Sequence, residues 1–523
     1  MICIGAKFYR KTPKSCIFIQ HLGDFLVKFE IVCISLPTKR LTNMDKLIGR
    51  KREMEELERC MNSRHSEFVV IYGRRRIGKT FLVRNFFHDN YTFYYVGAHK
   101  ATQKKQLENF AKALAKYGTF AKPPQLNTWS EAFDALSALL EHSNHRRKVV
   151  FIDEMPWVDN KASDFVEALE YFWNSWVALR DDIVLVACGS ATSWMVDKLI
   201  SNQGGLHNRI TRQIYVAPFT LNECKQYLDN KGFGWDYYQI IQCYMVLGGV
   251  PYYLSLLEPN LSLPQNIDAL FFAIGGRLSD EFDELYNALF SKADRYVAVV
   301  KALSAKREGL TRSELETASG LSGGNLTRAL KNLERCDFIV RFAQFGCKKK
   351  NTIYRISDFY TLFYFRFIEN NDDKDPEFWM HNFMTRSVET WEGLTFEMVC
   401  LKHLNAIKKG LGISGIATTV SSWRVGSKKD ESGQLEHKGA QIDLIISRVD
   451  KMAHLCEMKF SSKPYIITSN YKEKLYERMM IFRNETKTPF KLVHTMITPF
   501  GVAKGRNFGL VHSEITAKEL FSD

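Results

Sequence analysis

Ser66-Glu67-Phe68-Val69-Val70-Ile71-Tyr72-Gly73-Arg74-Arg75-Arg76-Ile77-Gly78-Lys79-Thr80 decides the fold class of this 523-residue chain. An apolar run of strand length enters a GxxxxGKT loop, and the apolar spacing from Phe81 onward is that of an amphipathic helix. Strand, glycine-rich loop and helix in this order predict a phosphate cradle, because glycines let backbone N–H groups turn inward and the helix N-terminus adds its dipole. Gly73, Arg74, Arg75, Arg76, Ile77, Gly78, Lys79 and Thr80 are therefore candidate ATP-binding residues. Lys79 is expected to reach the β- and γ-phosphates, and Thr80 to ligate Mg²⁺. The three arginines fill positions that the motif leaves free, and solvated charge, phosphate contact and partner contact all fit them.

Working outward, Lys148-Val149-Val150-Phe151-Ile152-Asp153-Glu154 reads as a second buried strand with paired carboxylates at its C-terminal end, where doubly wound sheets place ligands. Asp153 is the candidate metal residue, and Glu154 the candidate general base that polarises the attacking water. A third strand, Asp182-Ile183-Val184-Leu185-Val186-Ala187-Cys188, runs into Gly189-Ser190-Ala191-Thr192. Ser190 suits either a sensor of the γ-phosphate or a cap for the following helix.

Farther along, Thr311-Arg312-Ser313-Glu314 has capping-box spacing and predicts a short helix ending near Gly320. A second helix over Gly324 to Cys336 carries Arg328, Lys331 and Arg335, with Leu326, Leu330 and Leu333 at core spacing. Two strands, Phe338 to Phe342 and Thr352 to Ile356, then flank the basic tip Lys348-Lys349-Lys350. Helix, turn, helix and hairpin form a winged helix-turn-helix pattern, which serves either for DNA binding or for packing between domains.

In the last third, a helix around Trp391 to Leu401 sets Glu397 among apolar neighbours. Strands at Gln441 to Ile446 and His454 to Phe460 carry Asp443, Glu457 and Lys459. The i, i+2 spacing puts Glu457 and Lys459 on one strand face, and a hairpin brings Asp443 alongside. Asp443, Glu457 and Glu397 are candidate ligands for Mg²⁺, and Lys459 the candidate catalytic residue that orients or deprotonates water. Tyr471, Lys472, Lys474 and Arg478 on the next helix are read either as DNA contacts or as solvated charge.

The P-loop and the Asp153-Glu154 strand resemble the AAA+ superfamily, and more closely the archaeal-type ATPase branch related to the STAND signalling ATPases. Ile48-Gly49-Arg50 resembles that branch's N-terminal box and Gly248-Gly249-Val250-Pro251 its GGxP segment, so the resemblance implies that Ile48, Gly49, Arg50 and Pro251 lie near adenine. Arg209 falls where the branch usually has an arginine after the sensor strand, with a γ-phosphate sensor or finger as the implied role and a surface salt bridge as the alternative. No arginine of the usual sensor-2 kind stands out, which leaves oligomerisation open. Glu397 with Asp443, Glu457 and Lys459 resembles the PD-(D/E)xK nucleases, and its succession behind the ATPase resembles the DUF234 domain.

The expected architecture is α/β: a P-loop AAA+ core (doubly wound parallel sheet) with a helical lid, a winged helix-turn-helix and a C-terminal α/β restriction-endonuclease-like domain. Its expected boundaries are an extension over 1–43, the ATPase core over 44–225, the lid over 226–290, the winged helix over 291–360, a linker over 361–390, the nuclease-like domain over 391–500 and a tail over 501–523. A length of 523 residues exceeds a single core, and shares of 45% apolar and 25% charged residues are those of a globular protein.

The net charge of +14 favours an anionic partner, with DNA the expectation. Part of that excess lies in residues 1–43, where seven basic residues face two acidic ones. This segment has no clean signal-peptide pattern and reads as a translated upstream stretch or a poorly ordered arm, with a second start at Met44. Eleven cysteines without a CxxC pair indicate neither zinc nor a disulfide framework and fit a reducing cytoplasm. No apolar run reaches the roughly 18 to 20 residues that span a bilayer, so no membrane partner is expected. Two functions follow: an ATP-driven, DNA-associated enzyme with a metal-dependent nuclease, or an ATP switch that binds DNA or a partner without cutting.

Overall fold

A computed structural model of the protein describes residues 47–522, except 119–121, 161–162, 202–203, 207, 291, 307, 348–351, 370, 372–374 and 430–433. The expectations for residues 1–43, for the start at Met44 and for the basic tip Lys348-Lys349-Lys350 lie outside the described residues.

Strands β1 (Glu67–Tyr72), β2 (Phe93–Val96), β3 (Lys148–Asp153), β4 (Ile183–Gly189) and β5 (Arg212–Tyr215) form one parallel sheet in the order β2–β3–β4–β1–β5. β3 and β4 are buried at every position, as parallel strands covered on both faces must be. The two-residue period of β1 divides the core. Phe68 and Val70 pack toward Trp129 and Phe133, while Val69 and Ile71 pack toward Leu82 and Val83. The chain leaves β1, β3 and β4 at the same edge, which brings the P-loop, Asp153 and Ser190 together.

The helical segment after β5, expected as a lid over 226–290, begins with helices Leu221–Asn230 and Tyr237–Leu247, each opened by a capping box, Thr220 with Glu223 and Asp236 with Gln239. Gly248 and Gly249 follow, both left-handed at φ 65. A Cβ at Gly249 would lie 2.3 Å from the Phe219 carbonyl oxygen, so the close approach requires glycine. Pro251 then occupies the first turn of the helix Pro251–Leu254.

After helix Ala293–Ser304 come β6 (Leu310–Thr311), helix Arg312–Ser319, helix Gly323–Arg335, β7 (Ile339–Phe342) and β8 (Ile353–Ile356). The three strands form an antiparallel sheet in the order β6–β8–β7. Thr311 and Glu314 make the expected capping box, and Leu326, Ala329, Leu330 and Leu333 form the buried stripe of the second helix.

The C-terminal part contains β9 (Thr418–Val425), the ribbon of β10 (Lys428–Lys429) and β11 (Leu435–His437), β12 (Ala440–Arg448), β13 (Met452–Met458), β14 (Lys491–Ile497) and β15 (Val511–Ile515). Its five-stranded sheet has the order β15–β14–β13–β12–β9, antiparallel from β9 to β13 and parallel from β13 to β15. Helix Arg386–Lys402 covers one face through Phe396 and Val399, and helix Ser469–Thr486 covers the other through Ile481 and Phe482.

Residues 501–523 therefore do not form the expected tail: they supply the edge strand β15 and the capped helix Ala517–Leu520. Only two of the five β15 positions are large and apolar, too few to show a period in the sequence, and the pairing with β14 is what makes it a strand. The helix carrying Glu397 likewise starts at Arg386, inside the expected linker.

The hairpin module is joined to this sheet by backbone bonds. The Ser422 N–H donates to the Ala343 carbonyl at 3.0 Å, and the Phe345 N–H to the Ser422 carbonyl at 2.8 Å, so the chain beyond β7 covers the edge strand β9. Phe345 packs its ring 4.9 Å from that of Phe482. No described helix is long and apolar enough to cross a membrane.

Lid and C-terminal part meet where helix Tyr237–Leu247 crosses helix Arg386–Lys402, with Gln242 Nε2 donating to Glu392 Oε1 at 2.8 Å. Burial pushes the Glu392 carboxyl up from 4.5 to about 7, against the opposing Gln242 bond. The folded state thus holds this proton more tightly than the unfolded chain. Its stability falls as pH rises across the window from 4.5 to about 7 and then levels off. Glu392→Gln should therefore stabilise the protein by up to about 3 kcal/mol above this window and by nothing below it. Melting curves on either side of the window check this; equal displacement of Tm at both pH values would contradict it.

Candidate nucleotide site and C-terminal cavity

Two glycines shape the phosphate loop. Gly73 has φ 146, and a Cβ there would lie 2.4 Å from the Val216 carbonyl oxygen; Gly78, at φ 81, is the N-cap of helix Lys79–Phe87. Lys79 is buried and donates from Nζ to the loop's own carbonyls, Gly73 at 3.1 Å and Arg74 at 2.8 Å. Burial lowers the pKa of this ammonium, making it a strong potential donor to a phosphate. Thr80 Oγ1 donates to Asp153 Oδ2 at 2.8 Å. A hydroxyl and a buried carboxylate side by side at the helix N-terminus fit Mg²⁺, which takes one or two carboxylates together with substrate phosphates and water.

Glu154 follows in a left-handed conformation, φ 46, and its Oε2 accepts from the Ser190 N–H at 3.1 Å and the Ser190 hydroxyl at 2.9 Å. The candidate base and the candidate sensor are thus a bonded pair. Arg209 is exposed in the turn before β5, and among the described residues no side-chain bond joins it to the loop.

Arg50 is buried and clamps the loop from the other side. Its NH1 donates to the Ala217 carbonyl at 2.6 Å and its NH2 to the Ile77 carbonyl at 3.1 Å, with the guanidinium 4.7 Å from the Phe219 ring centre. Gly49 is left-handed at φ 64, and Ile48 is half-buried beside it. The segment with Pro251 reaches the loop through the Tyr252 N–H, which donates to the Arg76 carbonyl at 3.3 Å. The N-terminal box and the GGxP segment therefore both touch the P-loop.

The loop arginines have partners that no sequence pattern reveals. Arg74 is only 2% exposed, forms an ion pair with Asp358 and lies 5.2 Å from the Phe338 ring centre. Asp358 also accepts from the Thr361 N–H at 3.1 Å and hydroxyl at 2.7 Å. Arg76 pairs with Glu281 at 2.5 Å and Glu284 at 3.3 Å and stacks 4.3 Å from Tyr252. Arg75 is half-buried and has no ion pair among the described residues. The P-loop is thereby tied to the lid by Arg76, and by Arg74 to the chain on either side of the β7–β8 hairpin.

In the C-terminal part, Glu397, Asp443, Glu457 and Lys459 line one cavity of about 420 Å³. Asp443 sits where the pairing of β12 with β9 shifts register, a bulge that re-aims its side chain. One residue beyond the paired positions Leu444 and Cys456, it faces Glu457.

Both strand carboxylates are already engaged. Asp443 Oδ1 accepts from Gln441 Nε2 at 2.6 Å and from Arg355 NH2 at 3.2 Å; Arg355 belongs to β8 of the hairpin module. Glu457 accepts from Lys459 Nζ at 2.8 Å, Arg478 NH1 at 2.7 Å and the Tyr471 hydroxyl. Burial opposes ionisation of Glu457, and the two cations outweigh it, holding the carboxyl below its usual range. Among the described residues no three His, Cys, Asp or Glu side chains are grouped so as to hold a metal ion. Of the carboxylates expected to hold a metal, Glu457 is engaged on both oxygens and Asp443 on Oδ1, so a metal at this cavity would have to displace Arg478, Lys459 or Arg355. Tyr471 and Arg478, expected as DNA contacts or solvated charge, instead hold Glu457.

Residues 47–257 match the protein family described as an ATPase domain predominantly from Archaea. An uncharacterized protein of Methanocaldococcus jannaschii is 25% identical over 418 residues, covering 79% of this chain and 87% of the relative. Among solved structures, a Walker-type ATPase of Pyrococcus abyssi aligns with 61% of this chain and 96% of its own, at 17% identity and a TM-score of 0.46. The ORC2 protein of Aeropyrum pernix, in its ADPNP–ADP complexes, aligns with 69% of this chain and 96% of its own, at 16% identity and a TM-score of 0.38. The family match places the archaeal-type ATPase domain at residues 47–257, and the hairpin module and the mixed-sheet part lie beyond it.

Proposed function

We propose that the protein is a Mg²⁺-dependent ATPase that works as a switch, passing the state of its nucleotide site to a DNA-binding C-terminal half that does not cut. The observation that carries this is the pair of P-loop arginines: Arg76 holds the lid and Arg74 holds Asp358 beside Phe338, so a shift of the loop pulls on both. In turnover Lys79 exchanges the carbonyls of Gly73 and Arg74 for phosphate oxygens. Thr80 and Asp153 are the residues that would hold Mg²⁺, which when bound offsets phosphate charge. Glu154 releases Ser190 to orient and deprotonate the attacking water, and Ser190 is then free to bond the γ-phosphate. Arg50 and the segment at Pro251 lie on the base side of the loop. In this reading residues 291–360 are a winged helix-turn-helix and 391–500 a domain of the PD-(D/E)xK type.

A second reading, a metal-dependent nuclease, is favoured by the shared cavity of Glu397, Asp443, Glu457 and Lys459. A cleavage assay separates the two. With ATP and Mg²⁺ or Mn²⁺, the switch is expected to turn over ATP while leaving single-stranded DNA, duplex DNA and RNA intact. Cutting that Lys459→Ala abolishes, with ATP turnover unchanged, would replace the switch by the nuclease.

A further inference from the structure

Helix Gly323–Arg335 carries Arg328, Lys331 and Arg335 at i, i+3 and i+7, a single stripe away from its buried Leu326, Leu330 and Leu333. In a winged helix this is the element that lies along nucleic acid. Here it lies against the ATPase core, packed on the short helix Thr192–Trp194. Asp197 Oδ1 sits 3.2 Å from Lys331 Nζ and 2.9 Å from Arg335 NH1. One carboxylate oxygen shared by an ammonium and a guanidinium reproduces the contact that a phosphate oxygen makes with the same groups. Arg328 is exposed and has no ion pair among the described residues.

The placement of Asp197 links this contact to the nucleotide site. It lies in the helix Met195–Ile200, which continues from Ser190 through Thr192–Trp194, and Ser190 is bonded to Glu154. A Glu154 that turns from Ser190 toward water releases the start of the segment whose far end carries Asp197. The contact is half-exposed, with Asp197 at 49% and Lys331 at 52%, so water and a competing anion reach it.

We propose that the stripe of Arg328, Lys331 and Arg335 is a docking face for the phosphate backbone of duplex DNA, and that Asp197 covers it as an internal stand-in for phosphate. This rests on the DNA-binding reading above. ATP binding and DNA binding are then coupled, because both draw on the segment from Ser190 to Ile200.

The test is fluorescence anisotropy of a short labelled DNA duplex with the full chain, with and without ATP and Mg²⁺, over a range of salt. Asp197→Asn should tighten binding about tenfold without ATP and remove most of its ATP dependence. An unchanged melting curve reports that the variant is folded. Lys331→Ala with Arg335→Ala should weaken binding and reduce the salt slope by about two, and Arg328→Ala by about one. If the lysine and arginine variants lose binding while Asp197→Asn equals the unaltered protein, the docking face stands and the cover is overturned. If the protein binds no duplex under any condition, the DNA reading fails with the proposal. If an acidic peptide displaces the duplex at equal concentration, the partner is a protein and the proposal is overturned.

Discussion

Lys79→Ala is expected to abolish ATP turnover, lowering kcat/KM by at least about a hundredfold, or roughly 3 kcal/mol of transition-state stabilisation. Lys79 is the one cationic side chain inside the loop that is both buried and, among the described residues, without an ion pair. Its ammonium is held only by two carbonyls, so it can move to phosphate without breaking a charge pair. The same geometry predicts that the substitution leaves folding nearly intact, because two loop carbonyls lose a donor and no carboxylate is stranded. Phosphate release measured over a range of ATP concentrations, together with a melting curve, checks both halves. Turnover persisting near the original rate would remove Lys79 from the site, and with it the assignment of the loop.

Asp358→Ala should be the most damaging single change to stability, by about 3–5 kcal/mol, since it leaves Arg74 as an uncompensated buried charge. The guanidinium has the Phe338 ring beside it and Asp358 as its one ion-pair partner among the described residues; the buried Asp337 carboxyl is near enough to act on it electrostatically without forming an ion pair. The loss should reach the P-loop, because the Arg74 backbone carbonyl also receives Lys79. Replacing both members, Arg74→Met with Asp358→Leu, should recover much of the stability, as expected when a buried pair is exchanged for apolar groups of similar size. Chemical denaturation of the single and double variants gives the comparison. A loss below about 1 kcal/mol in Asp358→Ala would show that the pair is not the tie between loop and hairpin module.

These two effects differ in how far they could be anticipated. Lys79, Thr80, Asp153 and Glu154 announce themselves by spacing within one strand and one turn, the range over which local geometry acts. Asp358 carries no such signal. In sequence it opens an aromatic connector, and its role arises because folding brings it to a loop 284 residues away. The same holds for Asp197, 134 residues from Lys331, and for Arg355, 88 residues from Asp443. The C-terminal motif falls between these cases. The spacing of Glu457 and Lys459 and the hairpin with Asp443 were legible, and all three reach one cavity with Glu397. That Arg355 pairs with Asp443 and Arg478 with Glu457 was not legible, since a partner on another element leaves no periodic trace.

The P-loop stretch from Ser66 to Thr80, with the apolar strands that follow it, by itself determined the parallel core and the position of the glycine-rich loop at its edge. Backbone sterics, side-chain period and helix-end polarity act over a few residues and so are written in order along the chain. Tertiary structure alone decided which charges are free. Arg74, Arg76, Lys331, Arg335 and Arg355 are each paired with a carboxylate on a distant element, which no spacing along the chain indicates. The partner of a long charged side chain is selected by which elements pack together, and that packing also placed β15 at the sheet edge and the segment Ala343 to Phe345 along β9.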